Sequence, residues 1–208
     1  MPRPRLHERE VSLDAALHAF HARGYGATSM KDLESAMDLR PGSIYATFGS
    51  KEGLFQEALQ RYGMQMKAEM RHLLEDAETP VAGLRNYLDA LARREPEAAG
   101  ALGEQTRACM VVRTLLETAG RSDEDGGRLA EQMLMDVERM LVGVVREAQR
   151  LGTLTTRLSA VRIARLLQSQ IIGFRTMAQR ALTDRARAQL AEDIGGLLDQ
   201  LLVNPRLR

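Results

Sequence analysis

Residues 28–55 read Thr28-Ser-Met-Lys-Asp-Leu-Glu-Ser-Ala-Met-Asp-Leu-Arg-Pro-Gly-Ser-Ile-Tyr-Ala-Thr-Phe-Gly-Ser-Lys-Glu-Gly-Leu-Phe55, and their punctuation decides the fold. Thr28 and Ser29 are capping residues, whose side-chain oxygens satisfy free N–H groups at a helix start. Met30, Leu33, Ala36 and Met37 recur at helical spacing and give that helix one apolar face. The pattern breaks at Asp38-Leu39-Arg40, and Pro41 stands where a new helix places its first residue. Ile44, Tyr45 and Phe48 then define a helix of barely two turns, ended by Gly49 before Ser50 caps the next. Short helix, tight turn, short helix is the helix-turn-helix arrangement, whose second helix enters the DNA major groove.

Working outward, the preceding segment predicts a helix over roughly 8–23, with Val11, Leu13, Ala16, Leu17 and Phe20 inward and Gly24 as its stop. Downstream, helical periodicity continues over 51–74, 80–95, 108–119, 129–151, 159–182 and 184–203, nine helices in all and no convincing strand. A looser stretch, 96–107, and a polar loop, 121–127, interrupt them. The expected class is all-α: a helix-turn-helix domain over 1–50, then a helical domain over 51–208.

Composition narrows the function. The 208 residues are 44% apolar, enough to bury a core. No run is long enough for a membrane span and no secretory leader is evident, so a cytoplasmic protein is expected. The single cysteine excludes an intrachain disulfide. Twenty-nine basic against twenty-eight acidic residues give a net charge of +1, so bulk charge does not announce nucleic acid. DNA binding therefore has to rest on where the charges stand.

The stretch from Leu13 through Thr28 and Arg40 to Phe55 resembles the DNA-binding domain of the TetR family of bacterial transcriptional repressors. Phe20, Gly24, Thr28, Gly42, Tyr45, Phe48, Ser50, Lys51 and Leu54 fall on the family's pattern positions. The remainder matches only in general plan. The resemblance implies a ligand-responsive regulator, a repressor with residues 51–208 as its ligand-binding and dimerisation domain, that binds palindromic double-stranded operator DNA as a homodimer and is released by a small-molecule or electrophile inducer. A helical ligand carrier or enzyme with a vestigial DNA-binding domain is the rival, and intact Thr28, Gly42, Tyr45 and Lys51 argue against it.

Several residues carry the DNA-binding expectation. Arg3 and Arg5, in a proline-rich amino terminus, read either as a minor-groove arm or as a solvated tail. Thr28 at a helix start is placed for a phosphate. Arg40, Pro41, Gly42 and Ser43 open the recognition helix, the end that meets base edges. Arg40 has the fork that fits guanine O6 and N7, with a salt bridge to Asp38 as the alternative. Tyr45, Thr47 and Lys51 resemble the family's phosphate contacts, although the family often has histidine where Thr47 stands.

Residues 52–208 hold no catalytic constellation, no metal-ligand pattern and no cofactor motif. His18 and His21 are three apart, but nothing completes a metal site. Met64, Met66, Met70, Met133, Met135 and Met140 are core filling or the lining of an adaptable pocket. Cys109, flanked by Arg107 and Arg113 at a helix start, reads as a possible thiol sensor or as an inert buried cysteine. Leu167, Ile171 and Phe174, with Leu190, Ile194, Leu197, Leu198 and Leu201, are expected to form a four-helix dimer interface.

Overall fold

The computed structural model describes residues 3–93, 109–119, 125–177 and 183–203. Along them run α1 (Arg3–Arg23), α2 (Met30–Met37), α3 (Pro41–Phe48), α4 (Lys51–Glu75), α5 (Pro80–Arg93), α6 (Met110–Glu117), α7 (Asp125–Arg150), α8 (Ala160–Met177) and α9 (Asp184–Asp199). The all-α class holds among the described residues. Their one extended pairing is an antiparallel bridge between Leu154 and Leu202.

Several helix ends differ from the expectation; α7, for one, starts at Asp125 rather than near residue 129. The first helix starts at Arg3 rather than near residue 8, so the backbone of Arg3 and Arg5 is helical and does not form a loose arm. Pro4 is no obstacle, because the first turn of a helix has no acceptor for its N–H groups. The side chains of Arg3 and Arg5 lie outside the described residues. At the other end α9 stops at Asp199, four residues early. The chain instead lies along the α7–α8 connection, with Thr155 N–H donating to Leu201 O at 2.8 Å and Val203 N–H to Thr153 O at 3.0 Å. Tertiary pairing takes backbone groups that local periodicity assigned to a helix.

The chain packs as two compact units, Met1–Gln65 with Ala99–Met133, and Met66–Ala98 with Leu134–Arg208. This division differs from a cut at 50/51. Apolar packing runs straight across that point: Phe20 of α1 meets Phe55 of α4 edge-on, centroids 5.1 Å apart, and Tyr25 lies 4.9 Å from the same ring. Phe20, Leu33, Ile44, Leu54 and Leu59 are sealed from solvent. Burying each such side chain is worth about 1.5–3 kcal/mol. Val11, expected inward, is 55% exposed.

Within the first unit α6 docks on the end of α1. Arg113 donates to the His21 carbonyl at 3.2 Å. Gly24 has φ +82°, and a Cβ there would stand 2.6 Å from the Glu117 carboxylate. The positive φ favours glycine, while the Glu117 side chain could swing aside for a Cβ. The second unit joins α5 to α9 and includes an Arg85–Asp199 ion pair between them.

Candidate nucleic-acid interface

The helix pair forms as its punctuation dictates. Ser29 is the cap of α2: its hydroxyl accepts from Asp32 N–H at 3.2 Å, and the Asp32 carboxylate accepts from Ser29 N–H at 2.8 Å. This reciprocal box satisfies two free donors at once. Asp38 ends α2 in the left-handed region, φ 49° and ψ 43°, where aspartate is one of the few tolerated side chains. Arg40 is then extended, φ −75° and ψ 151°, as the residue before a proline prefers, and Pro41 opens α3. Gly49 closes α3 with its N–H on Tyr45 O at 2.9 Å. Ser50 Oγ caps α4 by accepting from Gly53 N–H at 2.9 Å.

Only Ile44 and Phe48 of α3 are buried. Arg40, Pro41, Gly42, Ser43, Tyr45, Ala46 and Thr47 all face solvent. The α3 surface is therefore a short exposed ridge, led by a guanidinium at its amino end and seated on two apolar anchors. Gly53 brings α4 close beneath it, since a Cβ at that position would stand 2.6 Å from the Phe48 carbonyl.

Three of the expected phosphate contacts are already engaged. Thr28 is fully buried and its hydroxyl donates to Gly24 O at 2.6 Å. A phosphate at this helix start would meet Ser29 and backbone N–H groups, not the Thr28 side chain. Thr47 Oγ1 donates to Ser43 O at 2.8 Å, leaving only acceptor capacity. Lys51 Nζ donates to Tyr25 O at 2.8 Å and lies 4.3 Å from the centre of the Tyr25 ring. Desolvation pulls its ammonium below the ordinary range, against the opposing attraction of Asp32. Tyr45 is open, 48% exposed. Sequence spacing placed these residues on the right elements, but the direction of a hydroxyl or an ammonium depends on acceptors brought near by folding.

Two arginines, not singled out by the sequence reading, tie α1 to α4. Arg61 of α4 donates from Nε to Asp14 Oδ1 at 2.5 Å and from an Nη to Asp14 Oδ2 at 2.8 Å, with Glu10 as a further partner. Those hydrogen bonds raise its pKa above the usual arginine value. Arg9 of α1 reaches both oxygens of Glu57 at 2.9 and 2.6 Å. The Arg9 guanidinium carbon also lies 4.9 Å from the centre of the Phe48 ring. Neither contact has a local sequence signal, because the partners are nearly fifty residues apart or on another helix.

Elsewhere the side chains sort differently from the expectation. Leu167, Ile171, Phe174, Ile194 and Leu198 are buried inside this chain's own core. Leu190 and Leu201 are half-buried, and Leu197 is 46% exposed. Periodicity identifies an apolar face, but it cannot tell burial within a chain from burial between two. Cys109 is buried and caps α6 through its backbone, with no side-chain cap bond. Arg113 is turned to the His21 carbonyl, and Arg107 lies outside the described residues. Met66, Met70 and Met133 are buried, while Met64 and Met135 are exposed. No cluster of three or more metal-ligating side chains occurs among the described residues, and no described helix is long and apolar enough to cross a membrane.

The model of bacterial regulatory proteins of the tetR family matches residues 13–58, the segment just described. The chain is 37% identical over 91 residues to the HTH-type transcriptional repressor ComR of Escherichia coli, covering 43% of each. It is 33% identical over 110 residues to the repressor BdcR of the same organism, covering 53% of each. The chain thus spans about half the length of the curated relatives it matches. Its fold extends the likeness: a TetR-family regulator from Cytophaga hutchinsonii superposes with a TM-score of 0.82 over 95% of this chain and 96% of that one, at 17% identity. Residues 13–58 are a TetR-family DNA-binding segment. A further TetR-family structure, a cysteine mutant of the regulator CifR complexed with 26 bp double-strand operator DNA, has a TM-score of 0.78 at 26% identity. It covers 91% of this chain and 96% of that one. In this chain the matched segment ends at residue 58, within α4 and just past Glu57.

Proposed function

We propose that the chain is a DNA-binding transcriptional regulator, acting in the cytoplasm as a homodimer that represses from a palindromic operator and is released by a small-molecule inducer. The observation that carries this is the α3 ridge: Arg40 through Thr47 exposed, Ile44 and Phe48 buried beneath. A two-turn helix that buries two residues and presents the rest has little use as core. It suits insertion into a groove, with its amino end toward base edges. Arg40 is the base reader; Ser43, Tyr45 and the backbone N–H groups at the α2 start hold phosphates. Lys51 joins them with the N–H donors that Tyr25 does not occupy, and Thr47 by turning its hydroxyl away from Ser43.

The names of the similar proteins support the same reading, since ComR and BdcR are named as repressors and CifR is described on operator DNA. Dimerisation is proposed through the outward stripes of α8 and α9. Leu166, Gly173 and Met177 share one exposed side of α8, and Leu197 stands exposed on α9 between half-buried Leu190 and Leu201. A two-fold dimer would set two α3 ridges on successive turns of the duplex.

In vitro selection from a random-sequence duplex pool tests the reading. The expected product is an inverted repeat whose half-sites lie about one helical turn apart, bound more weakly as salt rises. Failure to enrich any sequence, or binding without salt dependence, would remove the proposal.

A further inference from the structure

We infer that Arg9 is a positioning residue for the recognition helix, acting through Phe48 and Glu57 rather than through DNA. The inference rests on the DNA-binding reading and names a residue that reading does not use. α3 buries two side chains, Ile44 and Phe48. Helices this short have little stability of their own, so their orientation is set by what seats them. Ile44 is sealed in the interior, whereas Phe48, at the last turn of α3, has the Arg9 guanidinium 4.9 Å from its ring centre.

That guanidinium is not free to wander. Both Glu57 oxygens accept from one terminal nitrogen, Nη2, at 2.9 and 2.6 Å, which holds that end of the guanidinium on the carboxylate. Arg9 and Glu57 are each about one-third exposed, so the pair is neither buried at heavy desolvation cost nor fully screened. One side chain of α1 is thereby tied to α4 and laid against the last turn of α3. Arg61 also ties α4 to α1, through hydrogen bonds to Asp14 and Glu10, none of them to a residue of α3. The molecule thus contains its own control: two α1–α4 braces, one of which also touches the recognition helix.

Removing the Arg9 brace should change how well α3 distinguishes sequences, more than how strongly the protein holds any duplex. The probes are the duplex that wild-type protein enriches from a random pool and a scrambled duplex of equal length. Arg9→Met and Glu57→Gln should each lower the ratio of selected to scrambled affinity roughly tenfold, and the double variant little further, because the two residues act as one unit. The salt slope should stay unchanged in all three. Arg61→Met should lower the melting temperature and leave the ratio intact.

A direct phosphate contact gives a different result. Arg9→Met would then weaken both duplexes alike and reduce the salt slope by about one, while Glu57→Gln would leave discrimination unchanged or tighten both complexes. That outcome overturns the inference, as does an equal loss of ratio in Arg61→Met. Melting curves on every variant separate misfolding from repositioning, and Glu57→Gln supplies the answer if Arg9→Met does not fold. If wild-type protein enriches no sequence, the DNA-binding reading falls and this inference with it; if it does and the Arg9 and Glu57 variants discriminate as well as wild type, only this inference falls.

Discussion

Arg40 is the extended cap of α3, with no side-chain cap bond and an exposed side chain, so its guanidinium has reach. Arg40→Ala should cost about 1–3 kcal/mol on the selected duplex and relax preference at one base pair per half-site. Titration of single-base variants of that duplex checks this; uniform weakening across all of them would reassign Arg40 to a phosphate. Lys51 is a different case, because its ammonium holds the Tyr25 carbonyl and faces the Tyr25 ring. Its replacement would loosen the α1–α2 connection as well as any contact with DNA. Cys109 has the surroundings of a packing residue, buried beside Met110 and Val111. A bulky maleimide should label it slowly in folded protein and rapidly in denaturant, since buried structural thiols are inert. Fast labelling of the native protein, accompanied by release of DNA that Cys109→Ser does not show, would restore the sensor reading.

Among the elements, α2 depends on its capping box. Asp32 accepts from Ser29 N–H and Ser29 Oγ and pairs with Arg23 at 2.5 Å. The Ser29 hydrogen bonds, then Arg23, hold its carboxyl down at about 2 against an ordinary 3.8. A depressed carboxyl stabilises the fold above its unfolded pKa and ceases to do so as pH falls through its folded pKa. Asp32 should therefore support α2 fully above about pH 4 and lose that support toward pH 2. Melting temperatures of wild type and Asp32→Asn should converge across this window; a constant difference down to pH 2 would show that the carboxylate charge is not the cause. Replacing the Ser29 hydroxyl with Ser29→Ala should cost about 1 kcal/mol of stability. The α2 and α3 boundaries were legible from single residues, because caps, a proline and an aspartate act within one turn. The ends of α1 and α9 were not: Arg3 to His7 has too little apolar pattern to announce a helix, and residues 201–203 are drawn into pairing with 153–155.

At the scale of the whole molecule, the question is which apolar surface is left for a second copy. Leu166 and Leu197 are 51% and 46% exposed in the single chain, so Leu166→Glu with Leu197→Glu adds charge where the protomer has no core to lose. Exposed substitutions of this kind change stability little, within about 0.5 kcal/mol. The double variant should be monomeric by light scattering, retain its helical spectrum, and lose most affinity for a two-half-site duplex. A variant that remains dimeric would place the interface elsewhere. The all-helical class was readable from periodicity along the chain, and the helix-turn-helix with its TetR-family likeness from residues 13–58, because capping, proline geometry and 3.6-residue periodicity are local and need no partner. Folding decided which expected contacts were already satisfied: Thr28 on Gly24, Lys51 on Tyr25, and Leu167, Ile171, Phe174, Ile194 and Leu198 in the chain's own core. It also joined Arg9 to Glu57 and Phe48. Each of these is a choice of partner among groups that only tertiary packing brings within a few ångströms, and periodicity along a chain carries no information about them.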